Sequence, residues 1–376
     1  MNSQDKHHAH GRIVKPDLGD FGRNELVIYG TTCDNIKNFV AKIQGALKEF
    51  DIAYVDADHH HSSVANTSFQ EKDNSFEVAY PCSSSAFIRR SALSQSDAIL
   101  INGNHFQGKS QIIICDGAKE QSLRKRAAQL HNVVAVITLT KQETVPDYVY
   151  DLVPMSANIP VLHLDTFGDI VVWYKSHFLR IPPIHVLILA GGRSIRMGMD
   201  KTMIKHHGKP QTPHLAELVN QLGIPAYVSC RVEQQEHFET LGLNSISDRI
   251  SDIGPLGGII SAFMNFPDHA WLVLASDIPL IDDKVITTLL NQRNPNKNAT
   301  AYQSISDGFP EPLIAIWEPK SYPTILSFLA QGYSCPRKVL INSNIQTVVH
   351  QEAEKLINVN TPEDLKKIND MLRHHP

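Results

Sequence analysis

The chain has 376 residues, of which 42% are hydrophobic and 20% are charged, and its formal net charge is −4. This composition is typical of globular proteins, so it excludes a fibrous repeat and a chain that is disordered throughout. At about 150 residues per domain, the length predicts two or three domains. The slightly negative charge gives no indication that nucleic acid or an anionic membrane is a partner.

The N-terminal sequence and the cysteines predict a cytoplasmic protein. No stretch approaches the roughly 18 consecutive apolar residues of a membrane span, and the polar N-terminus lacks the apolar core of a secretory signal. The five cysteines are far apart, with no CxxC pair and no zinc-ligand spacing. We therefore expect a reduced protein without a membrane span, whose residues 1–24 form a mobile polar tail.

From Glu25 onward, short apolar runs alternate with segments of helical period. Apolar residues recur at helical spacing from Ile36 to Leu47 and predict a helix there. Runs of this length, separated by helical stretches, predict parallel strands joined by crossover helices. The predicted strands of this half lie at 26–30, 53–58, 97–104, 111–116, 133–139 and 161–165.

Paired prolines, Pro182 and Pro183, stand before the next apolar run and predict a linker. The second half then repeats the alternation of strand and helix. The sequence therefore predicts two consecutive three-layer α/β domains, over residues 25–179 and 184–374. The predicted strands of the second domain lie at 186–192, 226–230, 271–276, 312–318 and 346–351.

The most specific chemical pattern is the string HVLILAGGRSIRMGMDKTMIKHHGK, which ends at Lys209. Gly191 and Gly192 directly follow a buried strand, where glycines let the backbone approach a phosphate closely. Arg196 and Lys201 add positive charge where a triphosphate would lie. The string is neither a Walker A motif nor GxGxxG. It predicts a nucleotide-phosphate site at the end of this strand.

The whole string resembles the signature of the molybdenum cofactor guanylyltransferases (MobA-like), within the wider nucleotidyltransferase superfamily. The resemblance covers nearly the whole second domain and implies a Rossmann-like nucleotidyltransferase fold. Four further segments match the family in order: GPLGGI (254–259), SDIPLI (276–281), EPLIAIW (311–317) and NVNTPEDL (358–365).

The resemblance implies that the enzyme transfers GMP from GTP to Mo-molybdopterin, which yields the guanine dinucleotide cofactor and pyrophosphate. Asp277 would hold Mg²⁺, and Lys201 and Arg196 would stabilise the phosphates. Lys209, Asn358 and Asn360 would contact substrate. The residues that it implies for nucleotide binding are Leu189, Ala190, Gly191, Gly192, Lys201, Asp248, Gly257 and Gly258.

The position of Asp277 supports its role as a Mg²⁺ ligand independently of the resemblance. A hard carboxylate that follows a strand would project from the carboxyl edge of the sheet, where such folds bind ligands. Structural alternatives stay open. Asp277 is also suited to a turn before Pro279, and Lys209 to the flank of a turn. The Thr-Pro-Glu at 361–363 is typical of a helix start. The family's usual cysteine before the acidic residue is Ser276 here, and Thr202 replaces a frequent glycine.

The loop after the first predicted strand, GTTCDNIKN (30–38), occupies the position of a P-loop but lacks Gly-Lys-[Ser/Thr]. Asp34 adds negative charge there, so we expect no nucleotide hydrolysis in the first domain. Cys33 has no neighbouring cation in the sequence and is interpreted as a small loop residue. The layout nonetheless resembles the molybdopterin-guanine dinucleotide biosynthesis adaptor (MobB-like), with matches in DADHHHSS (56–63), KDNS (72–75) and IPVLHLD (159–165).

A metal cluster could form from Asp56, Asp58 and His59–His61, but adjacent side chains of an extended chain alternate in direction, which favours a solvated loop.

Two alternatives to the guanylyltransferase stay open. One is a cytidylyl- or sugar-phosphate nucleotidyltransferase, and the other is a non-catalytic scaffold that binds cofactor. The expected partners are GTP and Mo-molybdopterin, with transient contacts to molybdoenzymes or other cofactor-biosynthesis proteins.

Overall fold

A computed structural model describes residues 13–57, 68–72, 75–79, 85–153, 159–190, 210–304, 306–359, 364 and 368. The chain forms two compact units. Residues 17–180 make the N-terminal unit, and residues 181–376 make the C-terminal unit together with the segment that precedes residue 17. Within the described ranges, no helix has the length and apolar character that crossing a membrane requires.

The N-terminal unit contains a six-stranded parallel sheet with the strand order β2-β5-β1-β6-β7-β8. A separate antiparallel pair, β3-β4, lies outside it. The described strands are β1 (Glu25–Tyr29), β2 (Ile52–Val55), β3 (Ser68–Lys72), β4 (Ser75–Ala79), β5 (Ala98–Asn102), β6 (Ser110–Ile114), β7 (Val133–Thr138) and β8 (Val161–His163). The described α-helices are α1 (Cys33–Ala46), α2 (Ala86–Ala92), α3 (Glu120–Arg124), α4 (Asp147–Leu152) and α5 (Phe167–Phe178).

Strand β1 lies inside the sheet of this unit, between β5 and β6, and all five of its residues are buried. Helix α1 follows it and buries one face, because Ile36, Phe39, Val40 and Ile43 recur at helical spacing. The predicted parallel sheet with crossover helices is confirmed here.

The segment 17–24, predicted as part of a polar tail, packs on the N-terminal unit. The carboxylate of Glu25, only 2% exposed, accepts hydrogen bonds from the backbone N–H groups of Asp20, Phe21 and Lys109 at 3.0, 2.7 and 2.6 Å. Such donors offset the cost of burying a carboxylate. The folded chain therefore starts upstream of the predicted boundary, because a charge at the start of β1 holds the preceding backbone.

The C-terminal unit contains a seven-stranded mixed sheet with the order β11-β10-β9-β12-β14-β13-β15. Its described strands are β9 (Ile184–Leu189), β10 (Ala226–Cys230), β11 (Ser245–Ser247), β12 (Ala270–Ala275), β13 (Ala299–Gln303), β14 (Pro310–Trp317) and β15 (Ile345–Val348). Its described α-helices are α6 (Gln211–Gln221), α7 (Gln235–Thr240), α8 (Pro255–Asn265), α9 (Asp283–Asn291), α10 (Ser321–Ala330) and α11 (Pro336–Ile341).

The expectation of parallel strands throughout is wrong for β14, which pairs antiparallel with both β12 and β13. The connection from β13 to β14 spans only 304–309, too short for a crossover helix, so the two strands must run in opposite directions. The sequence analysis also missed β13. Its buried residues include the small Ala299 and Ala301, which do not form a strongly apolar run.

A buried ion pair fixes the start of the C-terminal unit. Arg293, at the end of α9, donates from Nε and Nη2 to the two carboxylate oxygens of Glu318 at 2.6 and 2.8 Å. The same Nη2 donates to the carbonyl of Pro182 at 2.9 Å. Glu318 is fully buried. Since a bidentate Arg–carboxylate pair is geometrically restrictive, it positions the proline segment against the end of β14.

An aromatic cluster surrounds His185, the second residue of the central strand β9. The His185 ring lies 4.2 Å from that of His269 and 5.4 Å from that of Trp271, with Tyr227 and Phe266 also in contact. Burial, with a smaller contribution from His269, lowers the pKa of His185 to about 4. The ring is therefore neutral at physiological pH.

We expect His185 to make the C-terminal unit acid-sensitive. The unfolded imidazole has a pKa of about 6.5, above that of the folded one. The neutral, buried ring therefore makes its full contribution to the stability of the unit above pH 6.5, and this contribution is lost as pH falls toward the folded pKa. Between about pH 7.5 and pH 5 the free energy of unfolding of the unit should fall by about 2 kcal/mol. This fall should be absent in His185→Phe, which has no imidazole to protonate. Urea unfolding in a Trp173→Phe background measures this, because Trp271 and Trp317 then report the C-terminal unit alone.

The matched control is His237→Gln, which removes an exposed histidine from the same unit. It should keep the acid sensitivity of the parent. Equal pH dependence in the His185→Phe variant and the parent would contradict the assignment.

Candidate functional site

The carboxyl edge of the C-terminal sheet has a topological switch point at β9. From β9 the chain proceeds to β10 on one side, and β12 later pairs with β9 on the other side, with all three strands parallel. Open α/β sheets bind ligands at such a point, because the helices on either side diverge and leave a crevice. The string of glycines and basic residues singled out in the sequence starts at the end of β9.

A hydrogen bond joins the acidic segment to the end of β9. The hydroxyl of Ser276 donates to the carbonyl of Leu189 at 2.9 Å, and the Ser276 N–H points to the same oxygen at 3.4 Å. Asp277 follows directly and is half-buried, with Oδ1 shielded from solvent. Ser276 replaces a cysteine of the family's motif, and its hydroxyl provides this contact.

The C-terminal segment also reaches Asp277. The Val359 N–H donates to the Asp277 carbonyl at 2.8 Å, which brings the half-buried Asn358 beside this loop. Lys355 holds the segment in place through Asp282 Oδ2 at 2.6 Å. The structure therefore brings the Asp277 loop, the end of β9 and the segment containing Asn358 together.

Asp282 has two structural functions at this edge. It caps α9 by accepting the Val285 N–H at 2.9 Å, and it receives the ammonium group of Lys355. Burial alone would raise the pKa of Asp282, but the hydrogen bonds from Lys355 and Val285 outweigh it and lower the pKa. The group is therefore a permanent anion that fixes the C-terminal segment.

Asp248 lies at the same edge, one residue beyond β11. Its Oδ1 accepts the hydroxyl of Ser229 at 2.7 Å, and Ser229 pairs in register with Leu189 of β9. Burial raises the pKa of Asp248, and the hydrogen bond from Ser229 offsets only part of this effect. Since the carboxylate is partly desolvated, a neighbouring cation or hydroxyl group would stabilise it.

Gly257 and Gly258, which the resemblance implies for nucleotide binding, lie in the first turn of α8. Both glycines are buried. A Cβ at Gly257 would meet the Ile250 carbonyl at 2.4 Å, and one at Gly258 would meet Ser229 Oγ at 2.3 Å. The small size of Gly258 lets α8 lie directly against Ser229 of β10, and that of Gly257 lets the helix lie against the Ile250 carbonyl. A helix forms despite two glycines because Pro255 begins it and its apolar face packs in the core.

Several predicted residues lie outside the described part of the chain, namely Asp58, His59–His61, Gly191, Gly192, Arg196, Lys201, Lys209 and Asn360. The residues that flank the string from Gly191 to Lys209 on either side are nevertheless described. Ala190 flanks it on one side at 2% exposure. On the other side Gln211 is fully buried, and its amide donates to the Ile278 carbonyl at 3.2 Å. The two flanking residues therefore lie beside the Asp277 loop.

Sequence reasoning missed Ser229 and Gln211, which link the predicted residues to one another. Neither carries a motif, because a serine in a strand and a glutamine at a helix start are common. The only available signal was the position of Ser229 near the carboxyl end of a predicted strand.

Among the described residues, no group of three His, Cys, Asp or Glu side chains has an arrangement suited to a metal.

The loop after β1 in the N-terminal unit has no lysine at its phosphate-facing position. Thr32 caps α1 by accepting the Asn35 N–H at 3.2 Å, and Thr31 donates to Asp116 at 3.0 Å. Asp116 therefore adds a second carboxylate, besides Asp34, near the loop. The resemblance of this unit to the MobB-like adaptor stays a prediction.

The acidic segment at Asp277 lies at the switch point of an open α/β sheet, next to the strand end that precedes the glycine and basic string in the sequence. A family model of the MobA-like NTP transferase domain matches residues 186–348. The molybdenum cofactor guanylyltransferase of Pseudomonas paraeruginosa (strain DSM 24068 / PA7) is 36% identical over 195 residues, which cover 51% of this chain and 97% of that protein. The enzyme of the same name from Pseudomonas putida KT2440 is 31% identical and is covered to 97%.

The chain therefore belongs to the MobA-like NTP transferase family, and the predicted recognition and enzyme class are confirmed for its C-terminal half. A molybdenum cofactor biosynthesis bifunctional protein from Synechocystis is 30% identical over 187 residues. Those residues span 54% of that relative, about half its length. A solved structure of molybdopterin-guanine dinucleotide biosynthesis protein A from Archaeoglobus fulgidus is 24% identical with a TM-score of 0.44, over 50% of this chain and 99% of that one.

We expect Gly258→Ala to destabilise the C-terminal unit by about 1–3 kcal/mol, because the added methyl must displace Ser229 Oγ. Urea unfolding followed by circular dichroism measures the change. Gly45→Ala in α1 is the control, since nothing lies within 4 Å of its Cβ position. That control should gain about 0.5–1 kcal/mol. An unchanged stability of Gly258→Ala would show that the helix–sheet contact is loose.

Proposed function

We propose that the chain transfers GMP from GTP to Mo-molybdopterin and releases pyrophosphate. The observation that carries the proposal is the contact between Ser276 and Leu189, which places Asp277 beside the strand end that leads into the basic string. Family membership and the names of the guanylyltransferase relatives support the choice of substrates.

In this reaction the terminal phosphate oxygen of Mo-molybdopterin attacks the α-phosphorus of GTP, and the bond to pyrophosphate breaks. The chain contributes position and charge, because phosphoryl transfer requires little covalent chemistry from a protein. The predicted roles of Lys201 and Arg196 are to neutralise the phosphates, and those of Gly191 and Gly192 are to let the backbone approach them.

The residues of the Asp277 loop suit Mg²⁺. A half-buried carboxylate at the carboxyl edge offers the hard oxygen ligand that Mg²⁺ prefers, and the substrate phosphates would complete the coordination. When bound, the ion would supply charge neutralisation for the leaving pyrophosphate. Asn358, beside the same loop, has an amide oxygen suited to orient a substrate or a metal-bound water.

Asp248 suits the nucleoside end of the site. Ser229 holds its Oδ1, and partial desolvation strengthens any hydrogen bond that its other oxygen accepts. A ribose hydroxyl or a base amine is the donor class that this carboxylate would recognise.

We expect Asp277→Asn to reduce turnover at least about 100-fold, because a neutral amide would hold Mg²⁺ less tightly than a carboxylate does and the charge of the leaving pyrophosphate would be less well neutralised. The measurement is pyrophosphate release by the full chain with GTP, Mo-molybdopterin and Mg²⁺. Chelation of the metal should abolish turnover in the parent chain.

Asp283→Asn is the matched control, because it removes an exposed carboxylate from the first turn of α9 nearby. Its turnover should equal that of the parent. Normal turnover in Asp277→Asn would contradict the assignment, and absence of turnover in the parent with intact GTP binding would favour the scaffold alternative. Faster turnover with CTP would instead indicate a cytidylyltransferase.

We expect Asp248→Asn to weaken GTP binding about tenfold, the effect of losing one charge-assisted hydrogen bond. Its folding stability should be unchanged or higher, because the amide oxygen still accepts the Ser229 hydroxyl and the desolvated charge is gone. Isothermal titration with GTP and a urea unfolding curve separate the two effects. Unchanged affinity would assign Asp248 a purely structural role.

A further inference from the structure

The carboxyl edge of the N-terminal sheet gathers a second group of reactive side chains. Cys33 is not a loop residue, as the sequence suggested, but the first residue of α1. It occupies the place of a P-loop beside the central strand β1, and it is only partly exposed. The residues around it come from three different loops of the unit.

An imidazole lies within hydrogen-bond distance of the thiol. Nε2 of His105 is 3.3 Å from Cys33 Sγ, although 72 positions separate the two residues in the sequence. The Asn104 amide donates to the same sulfur at 3.6 Å and to the Thr31 carbonyl at 3.0 Å. A nucleophile within reach of a base, with a donor to the developing anion, is the arrangement of an activated thiol.

Asp56 completes the arrangement. Its Oδ1 lies 3.7 Å from His105 Nε2 and accepts the Asn102 amide at 2.9 Å, while Oδ2 accepts the Tyr54 hydroxyl at 2.7 Å. Burial would raise the pKa of Asp56, but these hydrogen bonds, with the Ala57 N–H and His105, lower it below its usual value. The carboxylate is therefore held in its anionic form, and its negative charge lies beside the His105 ring.

Other ionisable groups also face this cluster. Arg126 donates to the Asn104 carbonyl at 2.9 Å and adds positive charge. Negative charge comes from Asp116, which Thr31 separates from the thiol, and from Asp34 next to Cys33 in the chain. The His105 contact is the closest of these to sulfur. Within the described ranges, the titratable or charged groups around Cys33 include Asp34, Tyr54, Asp56, His105, Asp116 and Arg126.

We infer that Cys33 and His105 form a nucleophile–base pair, and that Cys33 is a covalent modification site for small disulfides. His105 takes the thiol proton, and the thiolate attacks one sulfur of the disulfide. A new S–S bond forms at Cys33, the old S–S bond breaks, and the second half of the disulfide leaves as a thiolate that a proton then neutralises. No further oxidant is needed.

Alkylation of the full chain by iodoacetamide, quantified on each cysteine peptide by mass spectrometry, tests the pair. An ordinary thiol reacts about 50-fold faster at about pH 8.5 than at about pH 6.5, because its thiolate fraction rises by that factor. For Cys33 we expect less than about fivefold, since the imidazole already holds the proton at the lower pH. The exposed Cys335 is the internal control in the same sample.

His105→Gln should return Cys33 to the steep dependence of an ordinary thiol, and Asp56→Asn should give an intermediate value. His177→Gln, an exposed histidine of the same unit, should change nothing. Equal pH dependence of Cys33 and Cys335 in the parent chain would overturn the pair, and this comparison requires no variant.

Exposure of the full chain to oxidised glutathione tests the modification itself. We expect a mixed disulfide on the Cys33 peptide that forms at least about tenfold faster than on Cys335 at neutral pH and slows in His105→Gln. A shallow pH profile without preferential mixed-disulfide formation would overturn the assignment of disulfides as the reagent class.

Discussion

Parallel pairing around one central strand is the constraint on which the rest of this chain depends. Strand β1 in the N-terminal unit and β9 in the C-terminal unit each have parallel neighbours on both sides, contributed by later parts of the chain. Parallel strands present all their carboxyl ends at one edge, so every loop that follows such a strand reaches the same region. Residues far apart in sequence therefore meet there.

In the C-terminal unit, polar side chains join the elements of this edge. Ser276 joins β12 to the end of β9, and Ser229 joins β10 to Asp248. Gly258 makes room for the second contact by allowing α8 to lie directly against Ser229. Lys355 and Asp282 then fix the C-terminal segment beside Asp277. Each link is short and largely shielded from solvent, which suits a site where charged phosphates must be positioned.

The N-terminal unit repeats the layout with different chemistry. Cys33 begins the helix that follows β1, where a P-loop would carry its phosphate-binding groups, and His105 and Asp56 lie around it. The two edges therefore differ in what they attract. One combines an acidic segment with a basic string, which suits a nucleotide and a metal ion, and the other combines a soft nucleophile with a base.

Local sequence patterns made much of the fold and part of the candidate site predictable. Buried strands have continuous apolar runs, so β1, β9 and β12 were evident from the sequence, as was Asp277 directly after one of them. Other elements carry weak local signals. Strand β13 buries small residues, and the direction of β14 follows from a short connection rather than from its own composition. The helical state of Gly257 and Gly258 depends on packing that no local glycine pattern indicates.

The sequence by itself determined the division into two α/β halves, the positions of most strands along the chain and the identity of the nucleotidyltransferase motifs, because these depend on periodicity and on ordered short strings. Only the tertiary structure decided which side chains meet. The partners of Asp248 and Cys33 are Ser229 and His105, which lie 19 and 72 positions away. Such pairings follow from strand order and helix approach, and these depend on the packing of the whole unit rather than on any one segment.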